Sequence, residues 1–306
     1  MKLAVEFPSV AYRDGPKMVA SLAKGIEDIG YDQLDVFDHV VMGFDSGSRP
    51  KSFYPAKMPI LEALMTLSFA AAVTERIGLG TEVLVLPQRQ PVLVAKQFAT
   101  LDTLSGGRAR CGIGIGWQAS EYEALGEQFD NRGKRMDEAI ELMRVCWQDE
   151  QINFDSKYYQ SKAMGMEPKP PQGADLPIWI GGNSAAAFRR VGSYGNGWLA
   201  SQVTDSDFAK HAMDAIREAA SAAGRDPDAI GWQSMIASPP RASDEAGKSF
   251  YKERDRVAAR AVELKTMGFE GVALNATAIF QSGARSVEAI LETLASLHNR
   301  LRSEVG

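Results

Sequence analysis

The feature that most constrains the fold is an alternation of short apolar runs with longer amphipathic stretches, which repeats eight times along the 306 residues. The short runs have the length of buried strands and cover residues 3–7, 33–37, 77–86, 108–116, 176–182, 197–201, 229–237 and 269–276. Helical patterns cover residues 15–30, 60–74, 91–105, 133–148, 184–195, 205–224, 244–268 and 287–301. Alternating strands and helices predict a parallel sheet, and eight units predict a single (β/α)8 TIM barrel over residues 1–306. A doubly wound eight-stranded sheet is the alternative.

Charge and cysteine content exclude several classes of protein. The net charge of −5 argues against nucleic acid or an anionic membrane as the main partner. No apolar run approaches the roughly 20 residues of a membrane helix, and the amino terminus lacks the apolar region of a signal peptide. Cys111 and Cys146 are too few for a disulfide framework or a metal cluster, so we expect packing residues and no metal. These observations predict a soluble, cytoplasmic protein.

One segment, residues 149–175, interrupts the alternation after the fourth predicted helix. It is polar, contains several prolines and is dotted with aromatic residues. A long loop beside an active site often acts as a lid, and we expect that role here. Tyr158, Tyr159 and Met164 then either contact the substrate or pack the insertion itself.

In barrels of this kind the chemistry lies where the strands end, because those loops converge on one mouth. Of the three histidines, only His39 follows a predicted strand, in "DVFDHVV", directly after Asp38. His211 and His298 fall in predicted outer helices. His39 is therefore either a loop residue with a structural hydrogen bond or a proton donor, acceptor or cofactor ligand at the mouth.

The fourth strand, "RARCGIGIG", carries glycine at every second position: Gly112, Gly114 and Gly116. A dinucleotide fingerprint requires G-x-G-x-x-G at the first strand–helix turn. Here the spacing, the position and the following Trp117 all differ, which excludes that interpretation. Glycines on one face of a strand leave room for a planar ring, for another backbone segment or for tight packing in the barrel lumen.

Two further segments belong at the predicted mouth. In "GGNSAAAF", Asn183 or Ser184 is positioned to cap the helix that follows, which predicts either an anion site at the helix start or an ordinary cap. In "GTEVLVLP", a bulge at Thr81 and Glu82 would bring backbone toward a bound ring. A phosphate-bearing cofactor lying across the mouth would use both glycine segments.

Together these residues resemble the bacterial luciferase-like flavin and deazaflavin oxidoreductases. The resemblance is densest over residues 76–147, including "RIGLGTEVLVLPQRQPVLVAKQFATLDTLSGGRARCGIGIGW", and extends to "PIWIGGNSAAAFRRVGSYGNGW". It implies a barrel that carries an isoalloxazine-type ring at its mouth. The cofactor contacts that it implies are Asp38, Thr81, Glu82, Ile115, Gly116, Ser120, Gly181, Gly182, Asn183 and Ser184.

The segment "FDHVV" resembles the Asp-His pair of the branch that uses coenzyme F420, a deazaflavin. This implies hydride transfer between F420 and a small, fairly apolar organic substrate. His39 would handle the proton, and Asp38 would orient it or contact the cofactor. Trp117 stands where sugar-phosphate dehydrogenases of this branch carry a glutamate, so that substrate is not carried over. The paired histidines of true luciferases are also missing, so light emission is not expected.

Other functions remain open from the sequence. The same fold with FMN would make a two-component monooxygenase that uses reduced FMN and oxygen, and a partner reductase would supply the reduced cofactor. A non-catalytic flavin-binding barrel is a third alternative. We expect a homodimer through helix 91–105. Glu6 is expected in the lumen, where its charge needs a partner that the sequence does not assign. The substrate-pocket candidates are Phe44, Phe53, Tyr54, Trp117 and Tyr158.

Overall fold

Eight parallel strands close into a barrel in the computed structural model, which describes residues 1–45, 47, 54–236 and 249–306. The strands are β1 (Lys2–Glu6), β2 (Gln33–Val36), β3 (Gly78–Thr81), β4 (Leu84–Val85), β5 (Ala109–Gly114), β6 (Ile152–Asp155), β7 (Gln160–Met164), β8 (Ile178–Gly181), β9 (Gly197–Ala200), β10 (Gly231–Ile236) and β11 (Gly271–Asn275). The ring runs β1-β2-β3-β5-β8-β9-β10-β11 and returns to β1, and the pairing of β3 with β5 completes it. The predicted (β/α)8 barrel is therefore confirmed.

Helices surround the barrel in the predicted order. They are α1 (Pro16–Ile29), α2 (Ala63–Ala71), α3 (Pro91–Ser105), α4 (Ala119–Ala124), α5 (Arg132–Gln148), α6 (Ala185–Tyr194), α7 (Ser206–Ala222), α8 (Arg254–Thr266), α9 (Ala276–Gln281) and α10 (Val287–Val305). The first helix shows why the boundaries were predictable, since Pro16 suits a first turn and Gly30 ends the helix in the left-handed region. Among the residues with described structure, no helix combines the length and apolarity needed to cross a bilayer.

The strands divide their side chains between two environments. Outward positions such as Leu3, Val5 and Leu34 are fully buried against the helices. Cys111 in β5 and Cys146 in α5 are buried in the same core, which confirms that both cysteines are packing residues. Successive strand residues face opposite sides, so the alternate positions face the lumen. Several of those positions carry polar or charged residues that hydrogen-bond across the barrel. The centre of this barrel is thus unusually polar for the fold.

The third strand is interrupted at the mouth. It ends at Thr81, the peptide bond between Glu82 and Val83 is cis, and pairing with β5 resumes at Leu84. The segment between the two strands bulges toward the glycine-rich strand β5. This is the backbone bulge that the sequence led us to expect at Thr81 and Glu82.

The glycines of β5 are explained by that bulge. A Cβ atom on Gly112 would lie 1.7 Å from the carbonyl oxygen of Thr81, and one on Gly114 would lie 2.6 Å from Cγ2 of Val83. A Cβ atom on Gly181, in β8, would lie 2.9 Å from Cγ1, the other methyl carbon of Val83. Of the alternatives left open by the sequence, close approach of another backbone segment accounts for Gly112, and tight side-chain packing accounts for Gly114.

The insertion forms a hairpin that packs along one of the outer helices. Its strands β6 and β7 form an antiparallel hairpin that lies along α5, where Ser156 Oγ and the Tyr158 amide donate to Glu138 Oε2 at 2.6 and 2.8 Å. Near its end, Gln172 Nε2 donates to the Ala109 carbonyl at 2.9 Å, at the start of β5. The segment follows the carboxyl end of α5, which lies at the barrel end opposite the mouth. The tip of the hairpin thus lies beside the amino-terminal half of α5, and the lid role and the place of Tyr158 in the substrate pocket stay predictions.

Candidate active site

The residues singled out by the sequence meet at the carboxyl ends of the strands. His39 follows β2, Glu82 follows β3, Ile115–Trp117 follow β5 and Gly182–Ser184 follow β8. Because all eight strands are parallel, these ends form one mouth. The fold thus brings together segments that are far apart in sequence.

The imidazole of His39 is held by a carboxylate that sequence reasoning missed. Glu121 in α4 lies with Oε2 3.0 Å from Nδ1 of His39, while Oε1 accepts from the backbone amides of Val40 and Val41 at 2.6 and 3.2 Å. A carboxylate only accepts hydrogen bonds, so Nδ1 carries the hydrogen. Nε2 has no hydrogen bond recorded within the described ranges, and it is the nitrogen left for a reacting group.

The environment of Glu121 keeps its carboxyl ionised. Burial works against ionisation, but the hydrogen bonds from His39 and Val40 outweigh it, so the pKa of Glu121 is lowered. An ionised carboxylate fixes both the orientation and the tautomer of the histidine ring. The signal available in the sequence was the acidic residue four positions after Trp117, at the end of the glycine-rich segment "GIGIGWQASE".

Asp38 is hydrogen-bonded to Arg89 and to the backbone of β4. Its Oδ1 atom accepts from Arg89 Nη2 at 2.8 Å, and its Oδ2 atom accepts from the Val85 amide at 3.2 Å. Arg89 also donates to Glu62 at 3.0 Å. Burial raises the pKa of Asp38, and the guanidinium of Arg89 opposes that rise. Asp38 therefore ties the end of β2 to β4, and the prediction that it orients His39 is corrected in favour of Glu121. The alternative, that Asp38 contacts the cofactor, stays a prediction.

Aromatic rings line the mouth beside His39. The His39 ring lies edge-on to Tyr54 and to Trp117, with centroids 5.6 and 5.3 Å away, and the two aromatic rings are 6.3 Å apart. Two predicted pocket residues are thus adjacent to the imidazole. Phe44 is 67% exposed on the loop that follows β2, and Phe53 lies outside the described residues. The described part of the pocket is aromatic on the side of His39.

The segment after β8 has the form of a phosphate site. Ser184 caps α6 by accepting from the Ala187 amide at 3.2 Å, and Gly182 lies at φ 126, a region that favours glycine. Gly182, Asn183 and Ser184 are exposed, so the first amides of a ten-residue helix face open space at the mouth. On the other side of the mouth, the Ser120 Oγ atom lies 2.7 Å from the position that a Cβ atom on Gly43 would take. The Ser120 hydroxyl group therefore faces the loop after β2.

A network of charged side chains lies in the lumen below the mouth. Arg110 donates to Asp35 and, at 3.0 Å, to Gln233 Oε1. Gln233 Nε2 donates to Asp35 at 3.2 Å and to Glu82 at 2.9 Å. Burial, with the charge of Asp35 adding to it, raises the pKa of Glu82 well above its usual range and that of Glu6 to about 8. The side chain of Glu82 therefore belongs to this network, while its backbone forms part of the bulge after β3.

The partner that the sequence could not assign to Glu6 is Asn275, the last residue of β11. Asn275 Nδ2 donates to Glu6 Oε1 at 2.7 Å. Its own Oδ1 accepts from the Ala278 amide at 2.8 Å, which caps α9. Within the ranges that the structure covers, no cluster of three or more His, Cys, Asp or Glu residues is placed to hold a metal ion.

A parallel barrel with an oriented histidine, a backbone bulge and an exposed helix start at one mouth is suited to an enzyme that binds a ring with a phosphate-bearing chain. Comparison with known proteins identifies the family. The model of the luciferase-like monooxygenases matches residues 4–261, and the chain belongs to that family. It is therefore an oxidoreductase of the flavin- and deazaflavin-using class.

Relatives and solved structures agree with this assignment. An uncharacterised protein of Mycobacterium tuberculosis is 32% identical over 235 residues, which is 74% of this chain and 72% of the relative. An F420-dependent glucose-6-phosphate dehydrogenase of Nocardia farcinica is 31% identical over 237 residues, covering 74% of this chain and 66% of that protein. A monooxygenase from Streptomyces bottropensis has the same fold, with a TM-score of 0.80 over the full length of both chains at 20% identity.

Proposed function

We propose that the protein transfers a hydride between coenzyme F420 and a small, fairly apolar organic substrate. The observation that carries the proposal is the imidazole of His39, fixed through Nδ1 by the ionised Glu121 and bordered by Tyr54 and Trp117. The relatives named as F420-dependent dehydrogenases support F420 over FMN. The Asp-His segment at the end of β2 supports the same choice.

Each part of the mouth has a role in this reaction. The bound deazaflavin supplies or receives the hydride. Glu121 holds the imidazole so that Nε2 is free to take up the proton that leaves the hydride donor. The exposed start of α6 and the residues Gly182–Ser184 bind the phosphate of the cofactor. Tyr54 and Trp117 provide an apolar surface that excludes water from the reacting groups.

The first test is a fluorescence titration of the cofactor-free protein with F420 and FMN, each oxidised and reduced. We expect F420 to bind at least about tenfold more tightly than FMN. Asn183→Asp places a negative charge beside the phosphate and should weaken F420 binding by about tenfold. Asn299→Asp, the same change on the exposed face of α10, is the control and should have no effect. If Asn183→Asp and Asn299→Asp bound F420 with the same Kd, the proposed phosphate site would be contradicted.

The second candidate is an FMN-dependent monooxygenase that receives reduced FMN from a reductase. The family model's own description and the fold shared with the Streptomyces monooxygenase favour it. Binding of reduced FMN alone in the titration would select this function. Binding of either cofactor without any turnover would instead select a flavin-binding protein.

We also propose that two copies of the chain associate through α2 and α3. These helices expose large apolar side chains, with Met65 75%, Phe69 40% and Leu93 56% exposed. Leu93→Glu should shift the protein from dimer to monomer in light scattering. Val262→Glu, which puts the same charge on an exposed apolar position of α8, should leave the mass unchanged. A wild-type protein that is already monomeric would overturn the proposal.

A further inference from the structure

We propose that Glu6 is the proton donor of this site: its carboxylic acid protonates the molecule that receives the hydride, and its carboxylate takes the proton back in the reverse reaction. The inference deepens the proposed function and rests on it. It completes the proton balance, because hydride transfer requires a base for the molecule that is oxidised and an acid for the molecule that is reduced.

The position of Glu6 suits this role. Glu6 is the last residue of β1, level with Asp35 on one neighbouring strand and with Asn275 on the other, and only 7% of it is exposed. The amide of Asn275 is locked by its cap on α9, so its NH2 group is directed at Glu6 Oε1. The carboxyl group is therefore held in one orientation. Oε2, which has no hydrogen bond recorded to the described part of the chain, is the oxygen that can carry the proton.

Charge balance in the lumen keeps the proton on Glu6. The network contains three carboxyl groups, those of Glu6, Asp35 and Glu82, and one guanidinium, that of Arg110. Arg110 pairs with Asp35, which is fully buried, so ionisation of Glu6 would add an unpaired charge close to that of Asp35. Burial first, and the charge of Asp35 second, raise the pKa of Glu6 to about 8. Glu6 is thus an acid at neutral pH.

Glu6 lies level with Asp35 near the carboxyl end of β2, the strand whose following loop carries His39. Burial raises the pKa of Tyr54, and the charge of Glu6 adds to that rise. The Tyr54 ring is in turn 5.6 Å from the His39 ring. Tyr251, whose pKa is also raised by burial, faces Glu6 from the segment before α8 and stays neutral. Among the residues that the structure describes, the other charges that act on Glu6 are those of Asp35 and Glu82.

The resulting step balances. The hydride donor gives a hydride to the acceptor and a proton to Nε2 of His39. The hydride forms a new bond to the acceptor, and the acceptor's π electrons move to the atom at the other end of its double bond or conjugated system. That atom takes the proton from Oε2, and the O–H bond of Glu6 breaks to leave a carboxylate. Transfer of a proton from His39 to Glu6 through solvent restores both groups.

The first experiment uses the protein without cofactor. Difference infrared spectroscopy from pH 6 to pH 10 should show a protonated-carboxyl band that disappears with a midpoint near 8, and Glu6→Gln should lack it. Glutamine keeps the hydrogen bond from Asn275 but holds no acidic proton. Because the pKa of Glu82 is also raised, Glu82→Gln is measured beside Glu6→Gln. A band that is kept in Glu82→Gln and lost in Glu6→Gln belongs to Glu6, and a band that is kept in Glu6→Gln and lost in Glu82→Gln would overturn the assignment.

The second experiment measures turnover with the cofactor that binds in the titration. Glu6→Gln should lower kcat by about 100-fold or more while the cofactor Kd stays within about threefold, and the loss of rate at alkaline pH should disappear. Glu270→Gln, at an exposed position at the opposite end of the barrel, is the control. A Glu6→Gln enzyme with near-normal kcat would overturn the proposal. Binding of neither cofactor would overturn the proposed function and the catalytic role together, while the infrared result would still decide where the proton resides.

Discussion

His39→Gln is expected to lower turnover by about 100- to 10,000-fold, the usual contribution of a positioned general base. Glutamine can still donate from its amide to Glu121, but it offers no basic nitrogen in place of Nε2. Binding of the cofactor should therefore remain within about threefold of the wild-type Kd. The measurement is single-turnover hydride transfer at saturating cofactor, alongside the fluorescence titration.

Two further variants separate the chemistry from local structure. Glu121→Gln should also lower turnover, because a neutral amide no longer selects the tautomer with hydrogen on Nδ1. His211→Gln makes the same substitution at an exposed position of α7 and should leave turnover unchanged. If His39→Gln turned over at the wild-type rate, the imidazole would be a structural residue and the proposed base would have to be sought elsewhere at the mouth.

Gly112→Ala is expected to destabilise the protein by more than about 3 kcal/mol, beyond the usual cost of overpacking. The added methyl group would lie 1.7 Å from the carbonyl oxygen of Thr81 and 2.9 Å from Cδ1 of Leu199. Leu199 can adopt another rotamer, but the carbonyl belongs to a strand that is hydrogen-bonded on both sides. Relief therefore requires β3 or β5 to move. Urea denaturation followed by circular dichroism measures the free energy of unfolding.

Gly165→Ala is the matched control for this prediction. Gly165 is exposed, and the nearest atom to a built Cβ is the Glu150 carbonyl oxygen at 4.0 Å. Its effect should stay within about 0.5 kcal/mol. A Gly112→Ala protein as stable as the Gly165→Ala protein would show that β5 has room for a side chain, and the account of the glycine repeat would fail.

The sequence predicted the architecture well because the barrel depends on local patterns. Strand and helix periods, Pro16 at the start of a helix and Gly30 after its end are readable one segment at a time. The placement of His39 at the mouth followed from the same reasoning, since a residue directly after a parallel strand can lie only at the strand's carboxyl end. The insertion was harder to place: it begins after a helix, at the opposite end of the barrel, but the sequence does not show that its hairpin packs along α5.

The details of the site were less predictable because they depend on distant pairs. Glu121 is 82 positions from His39, and Arg89 is 51 positions from Asp38, so neither pairing has a local signature. The glycines of β5 illustrate the same limit. Their spacing indicates close approach, but only the fold reveals that the approaching group is the bulge at Thr81–Val83.

The two faces of the barrel strands have a consequence for how such proteins diverge. Outward residues such as Leu3, Val5 and Leu34 hold the strands against the helices, while inward residues such as Glu6, Asp35 and Arg110 carry charge. Adjacent positions of one strand are therefore under different selective constraints. Mutations at alternate codons can change the charge or the shape of the lumen while the shell that stabilises the barrel is inherited intact. A gene with this pattern can acquire new chemistry without first acquiring a new fold.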